Sequence, residues 1–317
     1  MQEVIFLLLG FLIIIKSSDI LVDCASSLAL RCKVPKMLIA LTIVAFGTCA
    51  PEVAISFKSV ASGNGTMAFA NVVGSCIINT FLIIGLAALV RPIRVKHATI
   101  KKELPILLII TTGFCVLMLD SIFNPLTANT FSRADGIILI LLFMMFVAYI
   151  IQLSKRKDEE KDQIEPKYKN VFLIIALILG SIACISLSSD VIVNNAVSLA
   201  EKLNVSEKVI TMVLIVIGTS LPEMFMTVTS ARKKEFDMAI GNIIGTNIFN
   251  ICIVLGLPIA IYGDLVLESF NLADIFTVFL TSFLLYIFAR SERVVSKKEG
   301  MVMLTIVIAY YICLIIG

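Results

Sequence analysis

The sequence predicts an all-α polytopic membrane protein, with ten transmembrane helices arranged as two inverted five-helix repeats. Hydrophobic residues make up 59% of its 317 residues and the mean hydropathy is +1.03, whereas a soluble protein of this length exposes far more polar surface. Apolar runs of about 20 residues, the length that crosses a bilayer, recur along the chain. Residues of the first half also match residues of the second half at a constant offset.

The apolar runs divide into ten spans because charged or turn-forming residues separate them. The first and sixth are longer than the roughly 20 residues that a bilayer requires, so they are expected to tilt or protrude. The first run has no Lys or Arg before it, which favours a permanent span over a cleaved signal peptide. The spans are expected near residues 2–30, 37–57, 66–90, 104–120, 130–153, 170–200, 207–231, 236–262, 271–290 and 299–316.

The distribution of Lys and Arg predicts the orientation. Alternate loops hold 21 of these residues, and the other loops hold only four. Because cytoplasmic loops carry the excess of positive charge, both termini are expected outside the cytoplasm, in a multi-pass protein of the cytoplasmic membrane. The charged stretch 154–169 is predicted to be a short cytoplasmic linker between a first half, 1–153, and a second half, 170–317.

A duplication relates the two halves. Matching residues are separated by 171 positions without a gap, over more than sixty residues. Each half contains five predicted spans, an odd number, so the second half is expected to enter the membrane from the opposite side. Inverted repeats of this kind place a binding site at the bilayer midplane between broken helices. Matched pairs include Asp19 and Asp190, Gly47 and Gly218, Pro51 and Pro222, Asn71 and Asn242, and Gly74 and Gly245.

The stretch "GTCAPE", residues 47–52, interrupts an apolar run, and "GTSLPE", residues 218–223, repeats it. Proline removes a helical donor and opposes the carbonyl four residues earlier. Backbone oxygens freed in this way must face protein or water, and an intramembrane carboxylate is costly without compensation. A cation resolves both problems, because hard ions bind carboxylate, carbonyl and hydroxyl oxygens. Glu52 and Glu223 are therefore predicted to hold a cation.

Polar side chains recur at four-residue spacing around each glutamate and again in the span that follows it, which places each set on one helix face. An alternative for the neutral members is that they only join helices by hydrogen bonds, and it stays open for Asn71, Asn242, Ser56 and Thr227. The acids Asp19, Asp23 and Asp190 are expected to cap, to contact water or to pair within the bundle. The stripes are Thr48, Glu52 and Ser56; Asn71, Ser75 and Asn79; Thr219, Glu223 and Thr227; and Asn242, Thr246 and Asn250.

These residues resemble the two α-repeats of the cation/Ca²⁺ exchanger superfamily, in its Na⁺/Ca²⁺ exchanger branch. The resemblance rests on "GTCAPE" with "NVVGSCIIN" and on "GTSLPE" with "GNIIGTNIFN", and it covers both halves. It implies ten helices in two inverted repeats and a shared site for Ca²⁺ and Na⁺. The implied roles are central carboxylates for Glu52 and Glu223, backbone and hydroxyl oxygens for Thr48 and Thr219, Na⁺ ligands for Ser75, Thr246 and Ser220, polar side chains across from the glutamates for Asn79 and Asn250, and helix support for Asn71 and Asn242.

Two positions depart from the family pattern. Cys49 stands where the motif usually has serine, and a neutral thiol is a poor Na⁺ ligand, so one outer Na⁺ site is expected to be weakened or completed by water. Asn250 stands where prokaryotic and K⁺-dependent relatives often carry aspartate, which lowers the expectation of K⁺ cotransport. Proton/Ca²⁺ exchangers of the superfamily place an acid in a GNxxE motif, and "GNIIG" has none.

The sequence thus predicts a prokaryotic-type antiporter that exports Ca²⁺ against Na⁺ entry by alternating access. Its expected partners are the two ions, as substrates, and the lipid bilayer; no enzymatic activity, cofactor, nucleic acid or obligate protein partner is expected. A Ca²⁺/H⁺ or K⁺-dependent antiporter is the nearest alternative. A channel is a second alternative, although two acids would hold Ca²⁺ too tightly for fast conduction. An intramembrane hydrolase is a third, but one histidine excludes an HExxH site and no GxGD sequence is present.

Overall fold

The computed structural model describes residues 2–63, 65–119, 130–155, 166–203, 216–266 and 272–316. These residues are mostly helical. Most of the predicted linker, 154–169, and the first part of the predicted span 207–231 lie outside the described residues. In the first half the helices are α1 (Gln2–Cys32), α2 (Lys36–Thr48), α3 (Ala50–Ala61), α4 (Gly65–Val90), α5 (His97–Lys101), α6 (Glu103–Leu117) and α7 (Arg133–Ser154).

The second half has a similar order of helices, without a counterpart of the short α5 among the described residues. Its helices are α8 (Val171–Lys202), α9 (Val216–Thr219), α10 (Leu221–Arg232), α11 (Phe236–Tyr262), α12 (Leu272–Ser291) and α13 (Lys297–Ile316). Within the described residues, six helices are long and apolar enough to cross a membrane, and a seventh span results if the bent pair α2–α3 is counted as one. The six are α1, α4, α7, α8, α11 and α12.

Several predicted boundaries differ from the observed ones for local reasons. The predicted end at residue 57 is too early, because α3 continues to Ala61 with Lys58 in its last turn. The predicted start at residue 130 is also too early. There the Ser132 hydroxyl accepts from the Asp135 amide, the Asp135 carboxylate accepts from the Ser132 amide, and this capping box starts α7 at Arg133.

The two longest helices, α1 and α8, pack against each other along their lengths in antiparallel orientation. Glu3 at the start of α1 pairs with Lys202 at the end of α8. At the opposite end, the Lys167 ammonium lies 2.5 Å from the Asp23 carboxylate. Hence α1 and α8 form a layer beside the remaining helices, with much apolar surface exposed as lipid contact requires.

Glycines allow the central helices to cross in backbone contact. A Cβ atom at Gly245 of α11 would lie 2.9 Å from the carbonyl oxygen of Leu41 in α2. A Cβ atom at Gly136 of α7 would lie 2.7 Å from the carbonyl oxygen of Gly256 in α11. Small residues are typical of such close crossings between membrane helices, and here they hold α11 between α2 and α7.

Two short ribbons join loops of different halves. In the first, β1 (Ile93–Arg94) pairs antiparallel with β4 (Val294–Val295), so that Ile93 lies opposite Val295. In the second, β2 (Thr130–Phe131) pairs antiparallel with β3 (Leu265–Val266). Each ribbon therefore links the first half of the chain to the second, outside the long helices.

Among the described residues, three helices contain π-helical segments, at Ala40–Val44 in α2, Ile78–Ile84 in α4 and Asn250–Leu255 in α11. A π-turn inserts an extra residue and frequently marks a functional site. Asn79 and Asn250 lie in two of these segments. The apolar pattern of the sequence does not predict this change of helix type.

Candidate ion site

The two proline-containing stretches break their helices as predicted. The α2 helix ends at Thr48, and α3 begins at Ala50 after a bend of 52°. Cys49 at the break has φ −75° and ψ 4°, and Ser220, at the equivalent position between α9 and α10, has φ −89° and ψ 6°. The predicted stripe beginning at Thr48 therefore does not follow one straight helix, because its first member lies before the bend.

The two glutamates lie in the first turns of α3 and α10, with 0% of each side chain exposed. Among the described residues, neither carboxylate of Glu52 and Glu223 has a hydrogen-bond partner. The Thr48 and Cys49 side chains of the first half approach the Glu223 carboxylate without forming a hydrogen bond of normal geometry, since the Thr48 hydroxyl donates to Ala45 instead. Glu223 is also close enough to Glu52 for the two carboxylates to repel. Helix N-termini offset part of this cost, but two buried carboxylates still require a compensating charge.

The helices that carry the glutamates each contact a π-helical segment of the other half. The α3 helix, with Glu52, packs against the segment that begins at Asn250. The α10 helix, with Glu223, packs against the segment that contains Asn79. The structure thus brings together elements that carry predicted site residues of opposite halves, 198 positions apart for Glu52 and Asn250 and 144 for Glu223 and Asn79.

Further buried oxygen atoms accompany the carboxylates. Within the described part of the chain, the neutral acceptors without a hydrogen-bond partner include four from the predicted ligand set, Ser75 Oγ, Ser220 Oγ, Asn79 Oδ1 and Asn250 Oδ1, in addition to Ser18 Oγ and Asn242 Oδ1. Buried polar atoms are normally satisfied, so a group of orphans calls for an explanation. All of these are atoms that can coordinate a cation. No cluster of three or more His, Cys, Asp or Glu suited to a metal occurs among the described residues, so a cation here would combine two carboxylates with neutral oxygens.

The predicted threonines and Cys49 lie in the same region. Thr48 Oγ1 donates to the Ala45 carbonyl at 3.3 Å, and Thr246 Oγ1 donates to the Ile243 carbonyl at 3.2 Å. These bonds occupy the hydroxyl protons and leave lone pairs available. Thr219 is the last residue of α9 and is partly buried. Cys49 is fully buried at the break.

Asn71 and Asn242 hold the helices that frame the site. The Asn71 amide donates to Ser56 Oγ at 3.0 Å and to the Glu52 carbonyl at 3.3 Å, which ties α4 to α3. The Asn242 amide donates to Thr227 Oγ1 at 3.1 Å, which ties α11 to α10 in the same way. This geometry agrees with a supporting role for these pairs.

Two polar residues beside the site were missed by the sequence analysis. The Asn247 amide donates to Thr80 Oγ1 at 2.8 Å, and its Oδ1 accepts from the Asn79 amide at 3.2 Å. Both residues are buried. The repeat comparison did not find them because the residues 171 positions away are Cys76 and Ile251.

The two sides of the site differ in packing. A cavity of about 450 Å³ lies between α8 and the break regions, toward the end of α8 that carries Lys202. It reaches Thr219, one of the predicted site residues. Its lining includes Pro51, Ile55, Ser189, Asp190, Asn194 and Thr219.

At the other face, ion pairs and apolar packing close the equivalent interface between α1 and α10. Leu221 and Met226 of α10 are buried in one cluster with α1. Arg232 lies 2.5 Å from the Asp19 carboxylate, and Lys233 lies 2.6 Å from the carboxylate of Asp23. The expectation that Asp19 and Asp23 pair within the bundle is thus confirmed, whereas Asp190 is exposed in the cavity.

Lys167, in the loop before α8, extends the ion pairs at this face. Its hydrogen bond with the Asp23 carboxylate raises the pKa of the ammonium above its ordinary value. Asp23 therefore lies between two cations, Lys167 and Lys233.

Comparisons with known proteins match nearly the whole chain. The family model described as sodium/calcium exchanger protein matches residues 3–152 and 173–316. The inner membrane protein YrbG of Escherichia coli is 36% identical over 260 residues, covering 80% of this chain and 78% of that protein. The putative antiporter CaxA of Alkalimonas amylolytica is 33% identical over 316 residues, covering 96% of both.

Solved structures of the sodium-calcium exchanger NCX_Mj share the fold. One of them, soaked with 2.5 mM Na⁺ and 0.1 mM Ca²⁺, superposes with a TM-score of 0.83 at 26% identity, covering 98% of this chain and 97% of that one. The apolar helices and the matches together define an integral, multi-pass membrane transport protein. The chain belongs to the sodium/calcium exchanger family, in the prokaryotic-type part of the cation/Ca²⁺ exchanger superfamily.

Proposed function

We propose that this chain is a secondary antiporter that exchanges Ca²⁺ for Na⁺ across the cytoplasmic membrane by alternating access. The observation that carries the proposal is the group of buried acceptor oxygens without partners around Glu52 and Glu223, contributed by both halves. Family membership supports exchange of these ions. The proposal also includes ten spans in two inverted repeats, with both termini outside, divided into halves 1–153 and 170–317 by the linker 154–169.

The proposed ligands follow from the atoms at the site. The two glutamates supply the charge that Ca²⁺ and Na⁺ share, because carboxylates at the breaks have no other partner among the described residues. Neutral oxygens complete the shells, as both ions accept mixed oxygen ligands. The proposed set is Glu52, Glu223, Thr48, Thr219, Ser75, Thr246, Ser220, Asn79 and Asn250, with Cys49 at the position of an outer Na⁺ ligand.

The unequal packing of α1 and α8 against the site helices supports alternating access. With the proposed orientation, the cavity beside α8 opens to the outside, and the ion-paired interface beside α1 closes the cytoplasmic side. This arrangement corresponds to an outward-facing state. Rocking of the α1–α8 pair would close the first interface and open the second, which exposes one site to each side in turn.

The proposed exchange is tested with purified protein in vesicles. Radiolabelled Ca²⁺ uptake into vesicles loaded with Na⁺ is expected to exceed uptake into vesicles loaded with K⁺ or with a proton gradient alone. Uptake that requires K⁺ or protons would replace the proposal with the nearest alternative. Ca²⁺ flux without any counter-ion gradient would indicate a channel.

Cys49 gives a prediction about Na⁺. Because a neutral thiol is a weaker ligand for a hard cation than a hydroxyl, Cys49→Ser is expected to lower the Na⁺ concentration for half-maximal exchange. The measurement is the Na⁺ dependence of Ca²⁺ efflux, with Cys115→Ser as the control for a buried cysteine between α6 and α12. An unchanged Na⁺ curve for Cys49→Ser would mean that the thiol only packs against its neighbours.

A further inference from the structure

We propose that Asn247 and Thr80 are positioning residues, which fix the Asn79 side chain so that its carbonyl oxygen faces the transported cation. The inference rests on the proposed function and adds two residues that do not themselves bind the ion. It is carried by a chain of buried hydrogen bonds, from Thr80 through Asn247 to Asn79.

The orientation of the Asn79 amide follows first from Thr246, whose hydroxyl proton is already used. Thr246 Oγ1 donates to the Ile243 carbonyl, so it can only accept from the Asn79 amide, 3.5 Å away. Asn79 must therefore present its NH₂ group on this side. The second proton of that group goes to Asn247 Oδ1 at the shorter distance of 3.2 Å. Both donors of Asn79 are used, and its buried Oδ1 is the one polar side-chain atom left without a partner.

Thr80 holds the far end of the Asn247 amide in place. The Asn247 amide donates to Thr80 Oγ1 at 2.8 Å, and the Asn247 oxygen points toward Asn79. A half-turn of this amide would set its NH₂ group against the NH₂ group of Asn79 and lose that bond, so Asn79 selects the orientation of Asn247 and Thr80 anchors it. Asn247 thereby excludes the Asn79 rotamer that would turn an N–H group toward a cation.

The second half of the repeat lacks this device. The counterparts of Asn247 and Thr80 at the offset of 171 are Cys76 and Ile251, both buried. Asn250, the counterpart of Asn79, accordingly has neither amide atom hydrogen-bonded within the described residues. One amide of the proposed site is thus fixed in advance and the other is free to turn. Preorganisation lowers the cost of binding, so Asn79 is expected to contribute more to ion affinity.

The test uses Thr80→Val, which removes the acceptor with little change of volume and does not touch the ion site directly. The KM for Ca²⁺ is expected to rise about fivefold with little change in maximal rate, since a net hydrogen bond is worth about 1 kcal/mol. Thr80→Ser keeps the hydroxyl and should restore the KM. Asn247→Leu breaks the same bond from the other side and provides a second variant if Thr80→Val does not fold.

Thr111→Val is the matched control. Thr111 is also buried, and its hydroxyl lies 2.9 Å from that of Ser282 between α6 and α12, so the change again removes one buried hydrogen bond. It should lower the melting temperature without Ca²⁺ but leave the KM unchanged. If Thr80→Val behaves like this control, the positioning role is wrong while the exchange proposal stands. A wild-type protein without Na⁺-dependent Ca²⁺ exchange would instead overturn the proposed function, and this inference with it.

Discussion

Glu52→Gln and Glu223→Gln are each expected to abolish Na⁺-dependent Ca²⁺ exchange. Either change removes half of the negative charge available to a desolvated divalent ion, because the other proposed ligands are neutral. Loss of one partner from a buried charge pair costs about 3 kcal/mol or more, which corresponds to at least roughly a hundredfold in affinity. The measurement is radiolabelled Ca²⁺ uptake into Na⁺-loaded vesicles.

The same variants should be more stable than the wild type when no ion is present. The carboxylates are fully buried, near each other and without hydrogen-bond partners in the described part of the protein, so neutralising one removes repulsion and a desolvation cost. The melting temperature without Ca²⁺ should therefore rise, while the stabilisation by added Ca²⁺ disappears. This opposite response separates loss of a binding site from loss of the fold.

Glu103→Gln is the control for removing a buried carboxylate elsewhere. Glu103 is buried at the start of α6 and accepts a hydrogen bond from the Tyr149 hydroxyl, away from the breaks. It should retain exchange. Full transport by a purified Glu52→Gln or Glu223→Gln protein would contradict the assignment of the two glutamates.

The residues of the candidate site could be predicted where the repeat preserved them. The offset of 171 pairs Glu52 with Glu223 and Asn79 with Asn250, and helical spacing places their neighbours on the same faces. Asn247 and Thr80 could not be found in this way, since their counterparts are apolar. The only sequence signal for them is their position, because Asn247 directly follows the predicted ligand Thr246 and Thr80 directly follows Asn79.

The π-helical segments and the unequal packing of the two halves could not be predicted from the sequence either. A π-turn depends on the tertiary contacts of a helix rather than on its own apolar pattern, and the runs around Asn79 and Asn250 read as ordinary spans. The cavity beside α8 and the closed interface beside α1 are formed by equivalent elements of the two repeats. Which interface is open is a property of the conformation, so duplication alone predicts no difference.

Neutralising Asp19 and Asp23 together is expected to shift the protein toward the inward-facing state. The ion pairs that join these residues to Arg232 and Lys233 exist at one interface, because the positions 171 residues from the two cations are Ala61 and Ser62. They therefore stabilise only the state in which α1 rests on α10. Partly exposed pairs contribute roughly 0.5 kcal/mol each. The three pairs here are Arg232 with Asp19, Lys233 with Asp23, and Lys233 with Asp19 at 3.5 Å, and together they correspond to about a tenfold shift in the equilibrium.

The shift can be measured as the Ca²⁺ affinity at each membrane face. Apparent affinity falls in proportion to the fraction of protein that exposes the site to that face. The Asp19→Asn, Asp23→Asn protein should thus show a lower KM for Ca²⁺ at the cytoplasmic face, in inside-out vesicles, and a KM at the outer face that is unchanged or higher. Raised salt should move the wild type in the same direction, since it screens exposed pairs.

Glu3→Gln is the matched control for this prediction. It removes an ion pair with Lys202 between α1 and α8, at the opposite end of the same helices. Those two helices are proposed to rock as one unit, so this pair is present in both states and its loss should leave the ratio of the two KM values unchanged. If the double variant also leaves the ratio unchanged, the ion pairs do not hold the closed interface, and the packing of Leu221 and Met226 against α1 must close it instead.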